Sequence, residues 1–174
     1  MKLALALFIL CQSVVAATGA KVVLLKGKAF FNGNEITKES ILDGKGTFTL
    51  GDKSYLKLQL QSSGTVIVLG ANSKSTMNLS EKELEPELDL VKGTARWITG
   101  SAKKPGGGIK TTNAVMGIRG TDFYVSFNPA FQESEVVCFD GGVQLTNQNN
   151  IADSKTIKKN QWGGIGGRFG KKLS

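Results

Sequence analysis

An all-β domain is the expectation for this sequence, and three features carry it. Short apolar runs are separated by turns rich in glycine and asparagine along most of the chain. Several runs alternate with period two, most cleanly at residues 55–60 and 123–127, the pattern of a strand with one buried face. A strand motif interrupted by glycine also recurs three times. Together these predict a single domain of many short strands, built as a two-sheet sandwich or roll with solenoid-like repeats of the glycine-interrupted strand.

Residues 1–20 stand apart from that pattern. Met1 and Lys2 precede an apolar run over residues 3–10, and Ala16, Ala17 and Ala20 close the segment. One positive charge, a short apolar stretch and small residues make a secretory signal peptide, too short to span a bilayer as a helix. Cleavage is expected between Ala16 and Ala20, and the product is expected in the periplasm or outside the cell. No other stretch is apolar enough to cross a membrane. Leu10 ahead of Cys11 is too bulky for a lipoprotein signal. Of the two cysteines, Cys11 would leave with the leader, so no intramolecular disulfide is expected. Cys138, in a run with Val136, Val137 and Phe139, reads as a small hydrophobe in a strand.

The domain is expected to occupy residues 21–162. Residues 21–31 form a β run that ends at Asn32, Gly33 and Asn34; residues 47–50 end at Gly51 and Asp52; residues 55–60 and 65–69 follow. Ser80 and Glu83 have the spacing of a capping box for a single helical turn. Residues 88–91 lead into Gly93. The repeat aligns residues 23–31, 88–97 and 136–145: an apolar strand, a charged residue, glycine, then small and large apolar residues in alternation. At Gly27, Gly93 and Gly141 it implies a tight turn or bulge that admits no side chain. The unequal spacing argues for duplicated strand pairs within one domain, not a fixed-period solenoid. Residues 101–108, with Lys103, Lys104 and three glycines, read as a loop.

Function classes narrow quickly. There is no histidine, which removes imidazole-based nucleophilic triads, general bases and metal ligands. Neither a phosphate-binding loop nor a dinucleotide fingerprint is present. Five carboxylates crowd residues 81–89, but they alternate with leucine around Pro86. They read as a solvated edge or loop, with weak calcium binding left open. No enzyme and no cofactor are expected.

Residues 109–125 contain Gly117, Ile118, Arg119, Gly120, Thr121, Asp122 and Phe123 behind a threonine-bearing strand. This run resembles the hallmark of the FecR domain family, and the glycine-interrupted strands around it are similar to that family's strands. The resemblance extends over roughly residues 20–162. It implies an all-β extracytoplasmic module. In bacterial regulators of that kind the module is periplasmic, and a membrane helix joins it to a cytoplasmic segment that controls a sigma factor. Neither that helix nor that segment is found in this sequence, so the resemblance carries the module and not the regulatory job. Independently of the family, Gly117 and Gly120 suggest a bulge or bend. Arg119 and Asp122 suggest a clamp on unpaired backbone groups, with Arg119 buried; an anionic-ligand site at Arg119 is the alternative.

The formal charge of +8 arises from 22 Lys and Arg against 14 Asp and Glu. Lys155, Lys158, Lys159, Arg168, Lys171 and Lys172 all follow the last acid, Asp153, so the rest of the exported chain is nearly neutral. Residues 155–161 read as the last strand, and residues 163–174 as a flexible glycine-rich basic tail. The partner is expected to be another protein or the cell envelope. The alternative is an anionic envelope polymer, such as lipopolysaccharide or a cell-wall polymer, met by Lys103, Lys104, Arg168, Lys171 and Lys172. Export leaves nucleic acid a poor candidate.

Overall fold

The computed structural model describes residues 19–80, 87–100 and 107–167, with Arg119 described by its backbone alone. Among these residues there are strands and turns and no α-helix. In chain order the strands are β1 (Ala20–Lys26), β2 (Ala29–Phe31), β3 (Asn34–Glu35), β4 (Ile41–Leu42), β5 (Lys45–Leu50), β6 (Tyr55–Leu60) and β7 (Val66–Leu69). They continue as β8 (Lys74–Asn78), β9 (Glu87–Ile98), β10 (Gly108–Lys110), β11 (Ala114–Asn128), β12 (Glu133–Asn147), β13 (Asn150–Lys158) and β14 (Trp162–Ile165).

The all-β expectation holds, and the register shows how its two layers are built. One sheet runs β4-β1-β6-β7, then the second half of β9, the second half of β11, the first half of β12, and β14. The other runs β3-β2-β5-β8, then the first half of β9, β10, the first half of β11, the second half of β12, and β13. Because β9, β11 and β12 belong to both, hydrogen bonding is continuous and all fourteen strands form one connected system. Short β10 lies between the diverging halves of β9 and β11, parallel to the former and antiparallel to the latter.

Period-two alternation places one face of every long strand in a shared core. Trp97 lies beside Ile67 and Phe123 in the ladder, and all three are fully buried. Phe48 meets Phe31 with ring centroids 4.8 Å apart. Each such large side chain contributes roughly 1.5–3 kcal/mol through removal from water.

The repeat glycines sit at the corners between the layers. Gly27, Gly93 and Gly141 have φ of +72°, +92° and +73°. A Cβ at Gly27 would lie 2.9 Å from Ser54 Cα, and one at Gly93 would lie 2.6 Å from Ser73 Cα. The serine beneath each glycine fastens the corner: the Lys28 N–H donates to Ser54 Oγ and the Thr94 N–H to Ser73 Oγ, both at 2.9 Å. At Gly141 a Cβ would lie 2.2 Å from the Gly120 carbonyl oxygen and 3.0 Å from Thr121 Cγ2. A serine thus lies under two of the three glycines, whereas Gly141 packs on the Gly120 carbonyl and the Thr121 methyl.

The C-terminal boundary differs from the expectation. The strand expected at 155–161 begins at Asn150, and residues 163–165 belong to β14, paired along β12 from Val137↔Trp162 to Ser134↔Ile165. Ile165 is buried. Asn113 Nδ2 donates to the carbonyls of Gln132 (2.5 Å) and Ile165 (3.3 Å). Gly166, at φ +81°, leaves no space for a Cβ over Gln132. Pairing and side-chain bonds thus outweigh the glycine content that suggested flexibility. Residues 168–174, with Arg168, Lys171 and Lys172, lie outside the described residues.

Gly93→Ala combines a left-handed φ with backbone overlap and is expected to cost on the order of 3 kcal/mol. Gly120→Ala faces open space at φ +60° and should cost about 1 kcal/mol. Urea denaturation of the two variants measures the difference; equal losses would show that overlap with Ser73 does not matter.

Candidate functional site

The motif residues 117–123 lie on β11 where it passes from one layer to the other. Gly117 pairs regularly with Gly108 and Gln144, and a Cβ there would meet nothing closer than 3.9 Å. The expected bend is therefore not at Gly117. It falls at Gly120, between the register shifts that separate Arg119, Asp122 and Phe123 along the β12 ladder. The shift turns Phe123 into the core, where it faces Cys138 and Trp97. Thr121 is buried, its N–H donating to Thr99 Oγ1 at 3.0 Å and its carbonyl accepting from the Thr99 N–H at 2.9 Å. Its own Oγ1 has no hydrogen-bond partner. The burial and bonding expected of the Arg119 side chain lie outside what is described.

A different arginine holds Asp122. Arg96 Nε and Nη2 donate to its two carboxylate oxygens at 2.8 and 2.7 Å, a bidentate pair. The guanidinium also lies 4.8 Å from the centroid of the Phe139 ring, a cation–π contact. Donation of these hydrogen bonds to Asp122 raises the Arg96 pKa above its ordinary value, against a smaller opposing effect of burial. Nothing in the local sequence marks Arg96; the pair depends on β9 and β11 lying side by side with Ile98 opposite Asp122 and Arg96 opposite Tyr124.

Beside this pair is a cleft of about 440 Å³ lined by Thr99, Gly100, Gly120, Thr121, Asp122 and Asp140. Asp140 accepts from Lys159 Nζ at 2.9 Å on the open surface, and that bond lowers its pKa. Both carboxylates are thus already matched by cations, which leaves neither as an uncommitted base. No group of three or more His, Cys, Asp or Glu side chains stands ready for a metal among the described residues. The carboxylates at 81, 83 and 85, and with them the capping box of Ser80 with Glu83, fall outside the described residues. Within them, Glu87 reaches Lys110 at 3.8 Å, and Ser80 Oγ donates to Asn78 at 2.9 Å. Lys103 and Lys104 also lie outside.

The threonine-bearing strand before the motif has a structural task that sequence reading missed. Thr111 Oγ1 and Ser134 Oγ lie 2.7 Å apart, and Ser134 Oγ donates to Asn113 Oδ1 at 2.6 Å. This buried network joins the β10–β11 turn to the start of β12 and the end of β14. Cys138 is buried, with Sγ 3.3 Å from the Asp140 carbonyl oxygen; burial raises its pKa.

The layered sheet and the glycine corners define a class of β-domain, and the comparisons place this chain in it. The family described as FecR protein matches residues 43–144, more than half of the chain. The chain belongs to the FecR family. The match is narrower than the resemblance over 20–162, leaving the first corner and the last two strands outside. Among solved structures, two crystal structures described as a "putative anti-sigma factor" from Parabacteroides distasonis ATCC 8503 share the fold. Their TM-scores are 0.64 and 0.61, at 13% and 14% identity over 75% and 74% of this chain. The aligned region spans 58% and 57% of those chains. No curated protein matches. No helix among the described residues is long and apolar enough to cross a membrane.

Two outcomes are expected. In a double-mutant cycle, Arg96→Met and Asp122→Asn should couple by about 1 kcal/mol, because Arg96 is partly solvated; zero coupling would remove the clamp. Cys138 should react with an aromatic disulfide only as fast as the domain unfolds; rapid labelling of the folded protein would contradict its burial.

Proposed function

We propose that this chain is an exported, non-catalytic FecR-family domain that works by binding another protein in a cell-envelope signalling assembly. Membership of the FecR family over residues 43–144 carries this reading. The leader-like residues 1–20 support export to the periplasm or beyond, and the cation-matched state of Asp122 and Asp140 supports a binding role over acid–base chemistry.

Export and signalling are tested together. The full chain should appear in the extracytoplasmic fraction with a new N-terminus between Ala16 and Ala20, while a chain without residues 1–20 stays in the cytoplasm. Removing the protein should change a discrete set of transcripts, restored by the wild-type chain. A cytoplasmic full-length protein, or an unchanged transcript profile under envelope stress, would overturn the reading. Release from envelope fractions by salt alone would instead favour capture of an anionic polymer by the basic end of the chain.

A further inference from the structure

The outward face of the first sheet carries a row of side chains that the register brings into one line. It begins on β1 with Leu24, crosses to Lys57 on β6 and continues to Val68 on β7. From Val68 it passes to Arg96, then to Tyr124 and Val137, and ends at Trp162 on β14. Seven strands about 4.8 Å apart make this row roughly 29 Å long. Leu24 and Trp162, its two ends, are 46% and 61% exposed, and Phe139, which flanks it over Arg96, is 42% exposed. A solvated sheet face ordinarily carries polar residues at these alternate positions. Here apolar and aromatic groups dominate, with an arginine at the centre, the composition of a protein-binding surface.

The edges of the layers are less suited to a partner. β3 and β4 have two residues each. β14 is four residues long with two glycines. β13 carries Lys155 opposite buried Leu145, on the core side of the ladder, a device that discourages strand addition.

Charge then narrows the occupant. Arg96 is matched by Asp122, whereas Lys57 on the row and Lys26, beside it on β1, have no ion-pair partner among the described residues. The row is therefore cationic towards β1 and aromatic towards β14. A lipid acyl surface would take the central Arg96–Asp122 pair out of water and offer it no polar partner, whereas a polypeptide carries hydrogen-bonding groups that can meet it. We propose that this row is the docking surface for a segment of a partner protein whose apolar side chains cover Tyr124, Val137 and Trp162 and whose carboxylate meets Lys57. The proposal rests on the protein-binding reading above and adds the surface and the partner's chemistry. Leu24 and Trp162 lie outside the family match at 43–144.

Photoreactive benzoylphenylalanine, placed in the full chain at Tyr124 or Trp162 and irradiated in intact cells, tests the surface. Thr49 and Lys74, exposed partners on the second sheet, serve as control positions, and adducts are mapped by mass spectrometry. Both test positions should yield adducts with one segment of one protein, with an Asp or Glu beside apolar residues, and neither control should. Lys57→Glu, at an unchanged melting temperature, should lower the adduct yield roughly tenfold. Protein adducts confined to the controls, lipid or glycan adducts at the test positions, or indifference to Lys57→Glu would overturn the docking surface. The first of these outcomes leaves the protein-binding function standing; no protein adduct at any of the four positions overturns both.

Discussion

A strand can leave one sheet and enter another only if its backbone turns sharply, and here glycine at positive φ makes that turn. Gly27, Gly93 and Gly141 adopt the left-handed conformation that an L side chain resists. At Gly27 and Gly93 a serine fills the space where the missing Cβ would stand and fastens the following amide. The corner is therefore a steric and a hydrogen-bonded requirement at once. The sharing of β9 and β12 between the layers depends on it, and with it the single core that Trp97, Phe123 and Phe48 occupy.

The bend in β11 has a further effect on the surface. A one-residue slip of a strand reverses which side chains face the core. The irregularity around Gly120 sets the count so that Phe123 turns inward and Asp122 outward beside Arg96. The run from Gly117 to Phe123 thus acts through register: its aspartate becomes half of an ion pair whose arginine lies 26 residues earlier. The guanidinium, held by two hydrogen bonds to Asp122 and lying over Phe139, sits in the middle of a row that is apolar or aromatic except for Arg96 itself and Lys57.

The chain belongs to the FecR family and shares its fold with the Parabacteroides structures. Its ordered polar groups are largely committed: Thr111, Asn113 and Ser134 to one another, Asp140 to Lys159, Arg96 to Asp122. The outer row of the first sheet sets Lys57, without an ion-pair partner among the described residues, beside aromatic and aliphatic groups, and it is the location proposed for the binding role.

Local pattern was enough to read much of the architecture. Alternation at Leu56, Leu58 and Leu60 marks a half-buried strand wherever it sits, because the period of two is a property of extended backbone. The repeat glycines were legible for the same reason, since a charged residue, glycine and renewed alternation describe a local turn. Gly117 misled because glycine within a ladder resembles glycine at a bend until its partners are known. Residues 163–167 misled because five glycines in twelve residues say nothing of Asn113 or of the strand partners at Ser134, Glu135 and Val136. The Arg96–Asp122 pair, the buried Thr111–Asn113–Ser134 network and the row from Leu24 to Trp162 join residues far apart in sequence. By itself, then, the sequence determined the fold class, the corners and the leader-like start, all of which are local. Tertiary structure alone decided which strands are neighbours, and therefore which side chains meet on the face where a partner would bind.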